Sequence, residues 1–371
     1  MRQVLLTAIC FTIATPALAQ RTTPEDLFKR WDRNQDGKLA VGELPENARR
    51  NFSRVDTDKD GAISLEEHLK FTNRSRGGQN VTQPPQGVTV LKNVPYAGTN
   101  NPRQALDMVI PKRKADGPLP VIAFIHGGGW RNGNKSSGVN RVVPFVRTGR
   151  YIGASIGYRL TGEATWPAQI HDCKAAIRWL RGNAKQHGID PNKIAVWGSS
   201  AGGHLVAMLG SSGEVKELEG VLGKHKDQSS RVTAVVNYYG PTALLRMDDF
   251  PGRMKHNSPD SPESLLIGAP IQEAKSKSRQ ASPLTHVTAD DAPHLNVHGT
   301  KDPLVPFPQG QSYDAALKKA GVESTLITVK DGGHGVPPAI NREQVLRFLE
   351  RHLHATGPAL KDETVPARQS N

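Results

Sequence analysis

Six short runs rich in β-branched and apolar residues recur along the chain: VIAFI (121–125), YIGASI (151–156), KIAVW (193–197), AVVNYYG (234–240), HLNVHG (294–299) and STLITV (324–329). Stretches with helical apolar spacing separate them. This alternation predicts an α/β architecture, a mostly parallel sheet covered by helices on both faces. Within 168–184, Ile170, Cys173, Ile177, Leu180 and Ala184 share one helical face, so Cys173 reads as a core filler rather than a reactive thiol. GVTVLKNVPYA and QALDMVIP, which come before the first run, look like a leading antiparallel pair. A chain of 371 residues can hold one such domain and something small besides.

The small part lies at the N-terminal end. MRQVLLTAICFTIATPALAQ carries one Arg, an apolar core and an Ala17-Leu18-Ala19 ending. That pattern predicts a secretory signal peptide, residues 1–19, and a periplasmic or secreted protein with no membrane span after cleavage. Cleavage also removes Cys10, leaving Cys173 alone and no internal disulfide. The formal charge of +13 comes from scattered basic residues without a nucleic-acid-binding motif. It reads as a solvated cationic surface, or as loose attraction to acidic polysaccharides, and no nucleic-acid partner is expected.

Two twelve-residue stretches then share one design. DRNQDGKLAVGE (32–43) has Asp32, Asn34 and Asp36 at positions 1, 3 and 5, Lys38 at 7 and Glu43 at 12. DTDKDGAISLEE (56–67) repeats it with Asp56, Asp58, Asp60, Ala62 and Glu67. Calcium asks for six to eight oxygens at flexible spacing. Alternate short carboxylates, a position-7 carbonyl and a bidentate Glu supply them, while Gly37 and Gly61 permit the sharp turn. The stretches resemble EF-hand loops, with Leu39 and Ile63 at position 8 where paired loops form a small strand contact. Their starts are 24 residues apart, which leaves room for one helix between them in 44–55. Loop 2 has four carboxylates against three in loop 1 and is expected to bind calcium more tightly.

Chemistry is concentrated in the larger part. Gly198-Ser199-Ser200-Ala201-Gly202 is a G-x-S-x-G centred on Ser200; no such frame exists around Ser199, whose flanking positions are Trp197 and Ala201. An apolar run precedes it and a helical pattern follows, the context of a nucleophilic serine on a sharp strand-to-helix turn. A hydroxyl needs a base, and His334 in the glycine-rich VKDGGHGV is the best candidate. His204 sits in the helix after the serine, and His298 at a strand end reads as packing. An imidazole needs a carboxylate. Asp302 gives the chain order serine, acid, histidine, with Asp331 as runner-up, better placed to shape a turn. HGGGW (126–130) offers main-chain donors for an oxyanion from Gly128 and Gly129, joined by Ala201, with His126 ordering the loop. A phosphate-binding loop is disfavoured because no Gly-Lys-Ser/Thr follows.

HGGGW, SIGYRL, WPAQIHDCKAAIRWLR, GSSAGGHL and HGTKDPLVPFPQG together resemble the hormone-sensitive-lipase side of the α/β-hydrolases, and within it the bacterial feruloyl and acetyl-xylan esterases. The resemblance covers residues 88–355. It implies an eight-stranded α/β-hydrolase fold and Ser200, Asp302 and His334 as a triad. It further implies hydrolysis of small or carbohydrate-linked carboxylic esters with no catalytic cofactor. The organisation is then a leader at 1–19, a small all-α EF-hand pair at 20–71, a linker at 72–87, the hydrolase body at 88–355 and a polar tail at 356–371.

Residues 240–286 are too long for a simple loop and read as a cap insertion. Their polar, basic content favours short-acyl or aryl esters, including acetyl or feruloyl groups on polysaccharide, over long acyl chains. Trp130 and Tyr158 stay open between lining the site and packing the core. Other readings are a serine amidase or peptidase of the same fold, and a calcium-binding attachment protein with a vestigial hydrolase body.

Overall fold

The computed structural model describes residues 24–49, 51–75, 85–113, 115–213, 215–250 and 252–367. The expected leader and most of the expected linker lie outside the described residues. The chain divides into two compact units, Met1–Thr82 and Gln83–Asn371.

In the first unit, helices Pro24–Trp31 and Leu65–Ser75 flank the two loops, and strands β1 (Lys38–Leu39) and β2 (Ile63–Ser64) pair antiparallel with Leu39 opposite Ile63. Phe28, Leu39, Leu44, Val55 and Ile63 form its core. The single helix expected between the loops is two short ones, Glu46–Arg49 and Phe52–Val55. Leu44 and Val55 must both reach that small core. An unbroken helix would hold them about 16 Å apart, so the segment breaks near Asn51.

The second unit is built on strands β3 (Val88–Pro95), β4 (Ala105–Pro111), β5 (Leu119–Ile125), β6 (Ile152–Ile156), β7 (Ile189–Ser199), β8 (Ala234–Tyr238), β9 (His294–Gly299), β10 (Ser324–Lys330) and β11 (Glu363–Pro366). Their order in the sheet is β11-β10-β9-β8-β7-β5-β6-β4-β3. β4 runs antiparallel to both neighbours, β3 and β6, and the other pairings are parallel. All six apolar runs are strands, and the leading antiparallel pair is present.

The side chains of β5 alternate between two cores. Val121, Ala123 and Ile125 pack with helices Ala168–Gly182 and Ala201–Ser211, and Cys173 is buried among them. Ile122 and Phe124 pack with helices Ser136–Val146 and Leu346–His354. Helices therefore cover both faces, as a parallel sheet requires. The eight expected strands are joined by a ninth, β11, inside the segment expected as polar tail. It is four residues long, with Val365 its one large apolar side chain, and lies at the edge, so it is too short to show an apolar period. Tertiary contacts fix it: Asp362 accepts from the Leu326 amide at 3.0 Å and pairs with Lys318 at 2.6 Å.

Parallel strands end at one edge of a sheet, where α/β ligands bind. Residues 126–130 follow β5, Ser200 follows β7, Asp302 follows β9 and His334 follows β10.

Candidate active site

Ser200 sits between β7 and the helix Ala201–Ser211 with φ 56° and ψ −124°, a conformation costly for a non-glycine residue, about 1–3 kcal/mol. The fold holds it there: its amide donates to Tyr238 O at 2.9 Å, and its carbonyl accepts from the His204 amide. The flanking glycines are forced by close approach. A Cβ on Gly198 would lie 2.3 Å from Gly202 O, and one on Gly202 2.1 Å from Ile125 O. Any larger residue would push the turn off the sheet.

His334 and Asp302 meet directly, His334 Nδ1 lying 2.7 Å from Asp302 Oδ2. The other carboxylate oxygen accepts the amides of Leu304 and Val305 at 2.9 and 3.0 Å, and His298 Nε2 stands 3.5 Å from Oδ2. Burial alone would raise this carboxyl. The contacts with His298 and His334 and the Val305 amide outweigh it and hold Asp302 well below the usual carboxylate range. The ring of Tyr239 packs against His334 with centroids 4.3 Å apart. Asp331 is exposed, sits in the turn at φ 59° and pairs with Lys301 at 2.8 Å.

Ser200 and His334 line one cavity of about 410 Å³, together with Gly128, Gly129 and Ala201. Among the described residues no hydrogen bond joins the Ser200 hydroxyl to His334. Such bonds commonly tighten only when substrate is bound. Gly128, at φ 112°, could not carry a Cβ, which would fall 2.4 Å from Asn132 O. Among the described residues, neither the Gly128 nor the Gly129 amide donates to another backbone group. Both stay available to a ligand.

Behind this loop the side chains are buried and interlocked. His126 Nδ1 contacts Gly127 O at 2.8 Å, and its ring stacks on Tyr158 at 4.4 Å. Burial pushes the His126 imidazole down to about 4, so at neutral pH it orders the loop uncharged. Tyr158 is fully buried, donates to His126 O at 2.9 Å and does not line the cavity. Trp130 lines the cavity and donates through Nε1 to His204 Nδ1 at 3.2 Å. His204, also pushed down to about 4 by burial, contacts Ala281 O through Nε2 at 2.6 Å. That contact ties the helix after Ser200 to the 240–286 insertion. The insertion also supplies Met254, Pro262 and Glu263 to the cavity wall, with Tyr239, Leu304 and Val305 beside them. No sequence motif flags Met254, Pro262 or Glu263; only the length of the insertion hints that it covers the site. Cys173 is buried and its thiol is pushed up, as a core residue should be.

The two calcium-type loops differ in what they offer. In loop 2, Asp56, Asp58 and Asp60 bring carboxylate oxygens within 4.8 Å of one another, and buried Asp56 Oδ1 has no hydrogen-bond partner. Glu67 accepts the Thr57 and Ser64 amides at 2.7 and 3.0 Å. Burial would raise its carboxyl, but these bonds and the two hydroxyls lower it to about 2. An orphaned, buried carboxylate oxygen inside an acidic ring suits a hard cation. Asp60 also pairs with Lys38 of loop 1 at 2.8 Å. In loop 1, Asp32 accepts the Asp36 and Gly37 amides, Asn34 donates to Asp36, and Glu43 accepts the Arg33 and Ala40 amides. Among the described residues its carboxylates form no comparable cluster.

Residues 106–317 match the BD-FAE family, more than half of the chain. The chain belongs to the BD-FAE family. Residues 51–67 separately match the EF hand, which covers loop 2. Beside this family assignment stand two kinds of relative. The esterase LipC of Mycobacterium tuberculosis is 31% identical over 237 residues, 64% of this chain and 58% of LipC. A probable isoprenylcysteine alpha-carbonyl methylesterase of Arabidopsis thaliana is 28% identical over 63% of this chain and 49% of its own. The chain thus spans about half the length of these curated relatives. Among solved structures, a truncated carbohydrate esterase from gut microbiota superposes with TM-score 0.65 at 32% identity, covering 73% of this chain and 96% of that one. A thermophilic esterase of Thermogutta terrifontis gives 0.58 at 25% identity, covering 74% and 97%.

Proposed function

We propose that the protein is an exported serine hydrolase of carboxylic esters, acting on short-acyl or aryl groups such as acetyl or feruloyl substituents of polysaccharides. The observation that carries this reading is the convergence in one cavity of strained Ser200, His334 held at 2.7 Å by Asp302, and the amides of Gly128 and Gly129. The esterases among its relatives, and the carbohydrate esterase among the solved structures, support it.

The chemistry follows from the geometry. His334 takes the proton of Ser200 as its oxygen attacks the ester carbonyl. The oxyanion that forms accepts hydrogen bonds from Gly128, Gly129 and Ala201, donors fixed before the reaction begins. His334 then gives the proton to the departing alcohol, leaving an acyl-serine. Water, deprotonated by the same imidazole, attacks that ester; the carboxylic acid leaves and Ser200 regains its proton. Asp302 keeps the ring oriented and stabilises its charged form throughout. No cofactor enters this sequence. A cavity of about 410 Å³ with a polar cap suits small acyl groups.

Loop 2 has the donor set to hold calcium, which would brace the N-terminal unit. Export rests on the leader pattern at 1–19. Among the described residues, no helix is long and apolar enough to cross a membrane. The test is a substrate series on the purified protein: p-nitrophenyl acetate, butyrate and palmitate, methyl ferulate and acetylated xylan. Turnover that falls by at least tenfold from acetate to palmitate, with acetyl release from xylan, is the expected outcome. Preference for palmitate, or hydrolysis of amides only, contradicts it.

A further inference from the structure

The cap insertion carries a buried ionic pair at the edge of the cavity. Glu263 lines the cavity yet is only 3% exposed, and His256 is 2% exposed. His256 Nδ1 lies 2.9 Å from Glu263 Oε2, and among the described residues it is the sole ionic partner of that carboxylate. The helix Pro262–Ile267 that presents Glu263 is fixed at its start. Ser261 caps it by accepting the Ser264 amide at 3.0 Å and donates to His256 O at 2.7 Å, and Pro262 follows as the first helical residue. The backbone before it is fixed as well, since Asp248 accepts the amides of His256 and Asn257 at 2.9 and 2.8 Å. Pro262 packs on the oxyanion loop so closely that a Cβ on Gly129 would sit 3.3 Å from its own Cβ. Glu263 is the next residue in the chain. It lines the same cavity as Gly128 and Gly129.

Burying a carboxylate is costly, and a buried ion pair adds little to stability over an apolar pair of the same size. Two facts make a ligand role the better account. Glu263 shares its cavity with Ser200, and its Oε2 faces His256 Nδ1 at ion-pair distance while neither of those two atoms completes a hydrogen bond. We infer that Glu263, positioned by His256, is a specificity residue whose free oxygen accepts a hydrogen bond from a hydroxyl neighbouring the ester of a sugar-type substrate. This inference rests on the esterase reading above and names the substrate class of that site. Burial works against protonation of His256, but the adjacent Glu263 and Asp248 outweigh it and raise the imidazole above its ordinary value. A neutral hydroxyl, which donates to an open carboxylate oxygen, is the matching group. An ester whose acyl part bears its own carboxylate is disfavoured, because that group would meet an acceptor where it needs a donor.

The test compares three esters with the full-length protein: a mono-O-acetyl xyloside with free neighbouring hydroxyls, the same compound with those hydroxyls methylated, and p-nitrophenyl acetate. For the wild type, kcat/KM on the free-hydroxyl ester should exceed that on the methylated one by at least tenfold. In Glu263→Leu, the ratio of kcat/KM for the free-hydroxyl ester to that for p-nitrophenyl acetate should fall roughly ten- to a hundredfold, the scale for losing a hydrogen bond to a charged group. Glu263→Gln, which keeps an acceptor and the side-chain shape, should recover part of that ratio through KM. A wild type indifferent to methylation, or a Glu263→Gln ratio unchanged together with a Glu263→Leu ratio within twofold of wild type, overturns the inference while leaving the esterase reading intact. A wild type inactive on all three esters overturns that reading, and this inference with it.

Discussion

Asp302 and Asp56 are both buried carboxylates, one in each unit, and the protein treats them in opposite ways. Asp302 is saturated from within: one oxygen takes two amides and the other takes His334, with His298 close by. Asp56 has one oxygen on the Gly61 amide and leaves the other buried without a partner. A carboxylate whose task is to hold another side chain is best fully occupied, because rigidity keeps the imidazole aimed. A carboxylate meant for an ion must keep an oxygen open, at a desolvation cost that the ion removes. The lesson is that the partners already present, more than burial itself, distinguish an orienting acid from a metal ligand.

The comparison breaks most visibly at Asp302. Asp302→Asn keeps the shape but loses the acceptor that fixes the His334 tautomer, so kcat on p-nitrophenyl acetate should fall roughly 10³- to 10⁴-fold. A loss under tenfold would mean that another group orients the ring, with Asp331 the first to examine. A smaller effect sharpens the other side. Calorimetric titration should give Glu67→Gln at least a tenfold loss of calcium affinity and Glu43→Gln a lesser one, since among the described residues loop 2 alone has converging carboxylates and an open oxygen. The reverse order would remove the contrast drawn between the loops.

The smallest effect lies in acid stability. A carboxyl held below its ordinary value of about 3.9 contributes stability above that pH and loses it as the pH falls toward the folded value. Thermal melts from pH ~5 down to ~2 should therefore decline more steeply for the wild type than for Asp302→Asn. Parallel curves would say that Asp302 is not depressed.

Much of this was legible in the chain because the proposed catalytic groups are local events at strand ends. A glycine-flanked serine, a glycine-rich histidine loop and an acid after HLNVHG each announce themselves within a few residues. Six apolar runs fix the sheet for the same reason: β-branched, continuous apolar stretches have few other fates. What stayed hidden depends on distance. β11 is four residues, Glu-Thr-Val-Pro, whose strand character comes from pairing with β10. His204 reads as a helix residue until Ala281, 77 positions away, is seen to receive it. Glu263 and His256 lie seven residues apart in a segment with no period, and nothing local says that both are buried. The break between the two short helices at 46–55 likewise answers to a core of five residues drawn from the whole N-terminal unit.

The central claim is that the fold has made a nucleophile of Ser200 and not of its neighbour Ser199, though both line the cavity. Turnover of p-nitrophenyl acetate by Ser200→Ala and Ser199→Ala, with folding verified by thermal melts, tests it most directly. The account predicts a loss of roughly 10⁴-fold or more for Ser200→Ala and less than about tenfold for Ser199→Ala. Substantial activity in a folded Ser200→Ala protein would contradict it.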